Sequence, residues 1–319
     1  MIAMTVNKTQ QLVPTEVADP VPKNGEVLIE VEAASVNRAD LMQRSGNYPS
    51  PEGWPEWPGL EVSGTVIAAP GCSIRKVGDK VCALLGGGGY AEKVVVPEGM
   101  TLPVPAGFSM VEAATIPEVF STAYLNFFIE AKVQPNETVF VQAGSSGLGI
   151  ASIQLLKTLG CGKIITTVGT EEKAEFVRKL GADIVVNHRT DDLGKVLDEN
   201  GVDVALDCVG GSDLGKNLIK MNPWGRWIMI AALGGAMTEI DLGQFFRKRI
   251  RLIGSTLRSR TDEMKSQILK ELQEKIYPVF ESGKIKPVIY ATFPLKQADD
   301  ALQILVERKN IGKIVLTVK

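Results

Sequence analysis

The stretch Val139-Phe-Val-Gln-Ala-Gly-Ser-Ser-Gly-Leu-Gly149 constrains this chain more than any other. It reads as a short apolar strand, a glycine turn and a helix running on to residue 159. Gly144, Gly147 and Gly149 permit a tight turn and close approach of backbone to a ligand. The helix behind them offers unpaired N–H groups and its positive dipole end to an anion. Gly144, Ser145, Ser146, Gly147 and Leu148 are therefore candidate phosphate-binding residues. The pattern departs from a full G-x-G-x-x-G because Ser146 takes the middle slot. Read alone, an ordinary glycine-rich turn explains it equally well.

The surroundings decide between the two. From about residue 119, short β-branched runs at 139–141, 163–168, 184–186, 202–207, 227–231 and 252–256 alternate with helical stretches such as 147–159 and 171–180. Gly160 and Gly181 stop those two helices. Six runs with helical crossovers describe an α/β fold with a doubly wound parallel sheet of the Rossmann type, and the glycine turn follows its first strand. In that context it reads as a dinucleotide site.

Residues 1–118 have another texture. Runs at 26–32, 64–68, 80–85 and 90–96, punctuated by Gly and Pro, suggest a small β-rich barrel. Asn37-Arg-Ala-Asp-Leu-Met-Gln-Arg44 makes a short helix leading into Ser45-Gly-Asn-Tyr48 and a Pro- and Trp-rich segment, 49–58. After Thr256 come the basic segment Arg258-Ser-Arg260, helices at 261–282 and 295–309, and a last strand at 313–318, a tail able to complete the first sheet. At roughly 150 residues per domain, 319 residues suggest two domains.

Hydrophobic residues at 45% and charged residues at 23% describe a soluble globular protein, and no apolar run is long enough to cross a bilayer. The formal charge of −2 argues against bulk attraction to nucleic acid. The N-terminus enters a strand at once, without a charged n-region, so a cytoplasmic location is expected. The cysteines at 72, 82, 161 and 208 are scattered, and His188 is the one histidine; no ligand pattern for a metal emerges.

The end of the second parallel strand selects the cofactor. An NAD site places Asp or Glu there, where it accepts from the ribose 2′-OH and repels a 2′-phosphate. Here the position, twenty residues beyond Gly149, is Gly169. Thr170 can donate a hydroxyl and Lys173 a charge-assisted contact, so NADPH is favoured over NADH. Glu171 and Glu172 stand close by and read as first-turn acids that suit the helix dipole. His188, after the third strand, stacks on or donates to the cofactor, or else simply faces solvent, and Arg189 is a further phosphate candidate.

Several motifs then carry a resemblance: Pro58-Gly-Leu-Glu-Val-Ser-Gly64, Val77-Gly-Asp-Lys-Val81, Gly88-Gly-Tyr-Ala-Glu92, Ala143-Gly-Ser-Ser-Gly-Leu-Gly149 and Asn310-Ile-Gly-Lys-Ile-Val315. Across almost its whole length the chain resembles a zinc-independent medium-chain dehydrogenase/reductase of the quinone oxidoreductase family. The resemblance implies a GroES-like domain from both chain ends (1–118 and 259–319), a Rossmann domain at 119–258, an active site in the cleft between them, and a homodimer. Zinc-dependent relatives carry a catalytic Cys near position 37, where this chain has Asn37. By the same resemblance Thr122, Val209, Leu233, Gly234 and Leu257 face the cofactor, and Asn310 and Lys313 close the site.

The implied reaction is hydride transfer to a quinone or an α,β-unsaturated carbonyl. The protein then has to orient the partners and stabilise charge on the acceptor oxygen. Asn37 and Tyr48 are the catalytic candidates, the amide as oxyanion donor and the phenol as hydrogen-bond or proton donor. A helix cap and a loop anchor are their structural alternatives. Asp40 reads as orienting its own helix, and Trp54 and Trp57 as pinning the loop. Two other functions stay open: an enoyl-thioester or alkenal reductase, and a non-catalytic nucleotide-sensing or RNA-binding protein.

Overall fold

A computed structural model describes residues 1–318, which form two compact units. Met1–Ser121 and the segment beginning at Leu257 make one; Thr122–Thr256 make the other.

Among the described residues the second unit holds a six-stranded sheet. Its spatial order is Ile184–Asn187, Lys163–Val168, Thr138–Val141, Val204–Asp207, Arg226–Met229 and Arg251–Gly254. Every neighbouring pair is parallel. The first strand in the chain thus lies inside the sheet, with the second and third to one side and the rest to the other. That reversal leaves a crevice at the carboxyl ends of the central strands, where ligands of such sheets bind. Val139, Phe140 and Val141 are fully buried. They are apolar on both faces because helices cover both, as a parallel sheet requires. Phe140 packs against Trp227 with ring centroids 5.9 Å apart, within a core that includes Ile165, Val186 and Ala205. Each large side chain buried there stabilises the unit by about 1.5–3 kcal/mol.

The helices begin where side chains can cap them. Ser146 Oγ accepts from Gly149 N at 3.0 Å and opens Gly147–Thr158; Thr170 Oγ1 accepts from Lys173 N at 3.4 Å and opens Glu171–Leu180. The latter stops at Gly181, whose φ of +120 few other residues adopt. Three sheet strands fall two residues short of an expected bound. The fourth starts at Val204 instead of 202, after Gly201 turns the chain at φ +61. The fifth and sixth end at Met229 and Gly254, because they pair residue for residue over Arg226–Met229 and Arg251–Gly254.

In the first unit Glu26–Val36 is central. The sheet order is Ile289–Pro294, Lys313–Thr317, Glu26–Val36, Glu61–Ala68, Lys80–Leu84 and Thr101–Pro103, with Lys93–Pro97 also paired to Glu26–Val36. The expected strand at 26–32 runs on to Val36, because Ala33–Val36 pair antiparallel with Ile314–Thr317. The tail therefore does return to this sheet. The expected strand at 90–96 begins only at Lys93, since Tyr90 turns its hydroxyl inward to Asp40. The pairings among the described residues form an open path rather than a closed barrel.

Candidate cofactor corner and buried polar cluster

The glycine turn of the second unit is built by close approach. A Cβ on Gly144 would stand 2.1 Å from Thr166 Oγ1, and one on Gly149 would stand 2.4 Å from Ala143 O. Neither position has room for a side chain. Thr167 fastens the turn to the second strand: Gly144 N donates to its carbonyl and Ala143 N to its hydroxyl, each at 2.9 Å. Ser145 is buried, while Ser146, Gly147 and Leu148 keep partial exposure. Ser146 Oγ caps the helix, so its lone pair is engaged and its O–H remains a donor. Helix geometry leaves the first N–H groups of Gly147–Thr158 without intrahelical acceptors. Gln142 Oε1, just after the first strand, is a buried acceptor with no hydrogen-bond partner among the described residues. A cradle closed to any Cβ, together with unmet donors and an unmet acceptor, fits a bound dinucleotide.

Gly169 ends the second strand. A Cβ there would lie 2.9 Å from His188 Cε1 and 3.7 Å from Arg189 Nε. Residues just after the third strand thus crowd over the position where a carboxylate would sit in an NAD site. Lys173 belongs to the same corner: desolvation pushes its ammonium down, Glu172 opposes this, and the charge of Arg189 adds to it. Glu171 is drawn aside by Arg178 at 2.6 Å. Gly169, Thr170, Lys173, His188 and Arg189 thus lie at one corner, with Glu172 beside Lys173.

At the next two strand ends, Val209 N and Gly210 N both donate to Asp207 Oδ1, at 2.7 and 3.0 Å. Gly234 N donates to Val209 O at 2.7 Å, and Leu233 N to Cys208 O at 3.2 Å. These loops interlock, and Leu233 is left 44% exposed. Thr122 stands in the helix Pro117–Tyr124; its carbonyl accepts from Asn126 Nδ2 at 2.7 Å, where the helix widens into a π-turn over Leu125–Glu130. Such turns recur at functional sites.

The first unit contains a buried polar cluster. Asn37 directs its amide hydrogens to Glu61 Oε1 at 3.0 Å and Ser35 O at 3.4 Å, and its Oδ1 accepts from Lys313 Nζ at 2.7 Å. Lys313 also donates to Val36 O at 3.0 Å and pairs with Glu61 Oε1 at 2.8 Å. All three ammonium hydrogens thus have partners inside this unit. Glu61 Oε2 accepts from Glu118 N at 2.8 Å. This geometry changes two expectations. The Asn37 amide is engaged rather than open to an oxyanion, and Lys313 is committed to a buried ion pair. Breaking such a pair from one side costs about 3–5 kcal/mol. Asn310 is likewise tied internally, Nδ2 to Gly312 O at 2.7 Å, and Leu257 is buried.

Asp40 accepts from Asn37 N at 2.7 Å, Tyr90 Oη at 2.8 Å and Gly59 N at 3.1 Å, which fixes its helix as expected. Burial pushes its carboxyl up to about 6 against those hydrogen bonds. Glu118 keeps some exposed surface, yet dehydration of its carboxyl and the nearby Glu61 push it up to about 8. Tyr48 is half-buried beneath the Arg258 guanidinium, 4.7 Å from its ring centroid. The tryptophans anchor the loop: Trp57 Nε1 donates to Gly88 O at 2.9 Å, and a Cβ on Gly86 would meet the Trp54 ring at 2.7 Å.

Glu61, Glu118 and Arg258 are the members that sequence reasoning missed as site residues. Two carried a signal. Glu61 interrupts the apolar run around Leu60 and Val62, and Glu118 follows the apolar Ala113–Pro117 stretch. An acid within such a run marks a buried, partnered charge.

Two family models match the chain, an alcohol dehydrogenase GroES-like domain over residues 23–106 and a zinc-binding dehydrogenase over residues 147–274. The chain belongs to the medium-chain dehydrogenase/reductase family, on its quinone oxidoreductase branch. It is 32% identical to human quinone oxidoreductase, over 95% of this chain and 92% of that protein. It is 35% identical to the zebrafish synaptic vesicle membrane protein VAT-1 homolog over 93% of this chain, and spans 65% of that protein's length. Among solved structures, the quinone oxidoreductase of Thermus thermophilus, determined also in complex with NADPH, superposes with a TM-score of 0.85 at 29% identity over 100% of both chains. The zinc in one family description does not fit the residues present. Among the described residues no group of three or more His, Cys, Asp or Glu is arranged to hold a metal ion, and the Lys313 ammonium bridges Asn37 and Glu61.

Proposed function

We propose that this protein is an NADPH-dependent reductase that passes a hydride to a quinone or a similar electron-poor carbonyl, without a metal. The observation that carries this reading is the corner around Gly169, which has no carboxylate at its strand end and gathers Thr170, Lys173, His188 and Arg189. A 2′-phosphate is the anion such a corner suits. In this reading Gly144 to Leu148 hold the pyrophosphate, while Val209, Leu233 and Gly234 supply backbone and apolar surface beside the cofactor, and Thr122 flanks it. Reduced nicotinamide, when bound, supplies the hydride. Asn37 and Lys313 act through the Glu61 network, as a rigid polar floor, and Tyr48 holds a proton at Oη. A hydroquinone product takes its proton from water, so quinone reduction makes small demands on Tyr48. A second reading, reduction of an alkenal or enoyl thioester, is favoured by the same Tyr48, because an enolate needs a proton.

We further propose a homodimer. The strand Arg251–Gly254 pairs on one side only, and Leu242, Phe246, Leu252 and Met237 of the same unit are exposed. A second copy related by a two-fold axis would cover this edge. No helix among the described residues is long and apolar enough to cross a membrane. None of the four cysteines forms a disulfide among the described residues, which suits a reducing compartment such as the cytoplasm.

The test is cofactor oxidation against a panel of quinones, enones and enoyl thioesters, run with NADPH and with NADH. The reading expects faster turnover with NADPH and with quinones. Equal use of both cofactors overturns the phosphate assignment, and enone turnover exceeding quinone turnover transfers the assignment to the second reading.

A further inference from the structure

Arg258 is 7% exposed, yet no carboxylate is hydrogen-bonded to it among the described residues. Its donors go elsewhere. Nε reaches Gly86 O at 2.7 Å and Nη1 reaches Tyr48 O at 3.2 Å. Nη2 reaches Gln43 Oε1 at 2.9 Å and Ser50 Oγ at 3.2 Å. Gln43 and Ser50 continue the lattice, Gln43 Nε2 to Ser50 Oγ at 2.9 Å and Ser50 Oγ to Pro55 O at 2.6 Å. The guanidinium therefore grips both flanks of the segment that carries Tyr48 and lies over the Tyr48 ring. A buried cation held by neutral acceptors alone keeps its field for its neighbours.

We propose that Arg258 is a positioning residue for the Tyr48 hydroxyl, fixing the plane of the ring and making its proton easier to give up. This rests on the reading of Tyr48 as proton donor. In the step it assists, the Tyr48 O–H bond breaks and the proton passes to the enolate formed by hydride addition from reduced nicotinamide. The phenolate left behind has its ring beneath the guanidinium, 4.7 Å from the centroid, and is reprotonated from water. The charged and titratable groups around Tyr48 and Arg258 are Glu118 and Asp40. Burial raises the phenol, Arg258 pulls it down, and Glu118 pushes it up.

The experiment places 3,5-difluorotyrosine at position 48, whose phenol titrates nearer neutrality than that of tyrosine, and follows it by fluorine NMR. Arg258→Gln should raise the midpoint by roughly one pH unit or more, as loss of an adjacent opposite charge does. Arg258→Lys keeps a charge but not the planar fork, and should raise it less. Turnover of an enone by Arg258→Lys in the natural chain should fall about tenfold relative to a quinone. A midpoint unmoved in Arg258→Gln overturns the proposal. If that variant does not fold, Arg258→Lys decides, and an unmoved midpoint with an unchanged enone-to-quinone ratio overturns it. The titration needs no substrate, so a protein that reduces none of the acceptors would refute the functional reading while leaving this assignment testable.

Discussion

In the proposed reading single residues set the cofactor, and single buried acids set the pH response. Gly169 is the clearest case: it excludes a carboxylate, and His188 and Arg189 close over it. Gly169→Asp should therefore lower kcat/KM for NADPH far more than for NADH, with the His188 ring displaced by the new side chain. Unchanged selectivity between the two cofactors would rule out a 2′-phosphate at this corner. Glu118 governs pH. Its carboxyl titrates near the ordinary value of 4.5 in the unfolded chain and is pushed up to about 8 in the fold. Between those values the folded state keeps a proton that the unfolded state has released. Stability is thus fully present below about 4.5, falls as pH rises, and levels off above about 8. Asp40, raised from 3.8 to about 6, acts in the same sense at lower pH. Urea unfolding midpoints measured across this range should fall with pH in the natural protein. They should flatten between about 6 and 8 in Glu118→Gln. A variant that keeps the full slope would mean that Glu118 is ionised throughout.

At the scale of elements, the strand–turn–helix unit is the part least able to vary. A Cβ on Gly149 would collide with backbone, Ala143 O at 2.4 Å and Gly144 Cα at 2.6 Å, which no rotamer change relieves. Gly149→Ala should lower the melting temperature and weaken NADPH binding together. Calorimetry showing full affinity in that variant would refute the turn as the phosphate cradle. This unit was also the most legible in the sequence: Lys163–Val168 and Glu171–Leu180 have the expected bounds, because β-branched runs, caps and glycine stops are local signals. The first unit was less so. Its cluster joins Asn37, Glu61, Glu118 and Lys313 across as many as 276 residues. No local periodicity reports which distant charges meet. The same blindness left the amide of Asn37 looking free, since its partners Glu61 and Lys313 lie in other strands. Arg258 read only as part of a basic segment for the same reason.

At the scale of the whole molecule, the edge strand predicts assembly. Arg251 N and Ser255 N donate inward, to Gly225 O and Met229 O, so the alternate N–H of Gly254 faces away from the sheet. Gly254→Pro removes that donor without touching the inner ladder. Light scattering should then report half the mass of the natural protein; an unchanged mass would exclude pairing through this edge. The chain's order carries one more consequence. Thr122–Thr256 is continuous, so this unit can fold while later residues are still being added at the ribosome. The other unit must wait. Its strand Glu26–Val36 is synthesised before the second unit, but the partner bearing Lys313 only after it. Until then Glu61 lacks its counter-charge, and a nascent chain cannot assemble the Asn37–Glu61–Lys313 floor. In the proposed reading, competence to react therefore arises only after the dinucleotide half already has its shape.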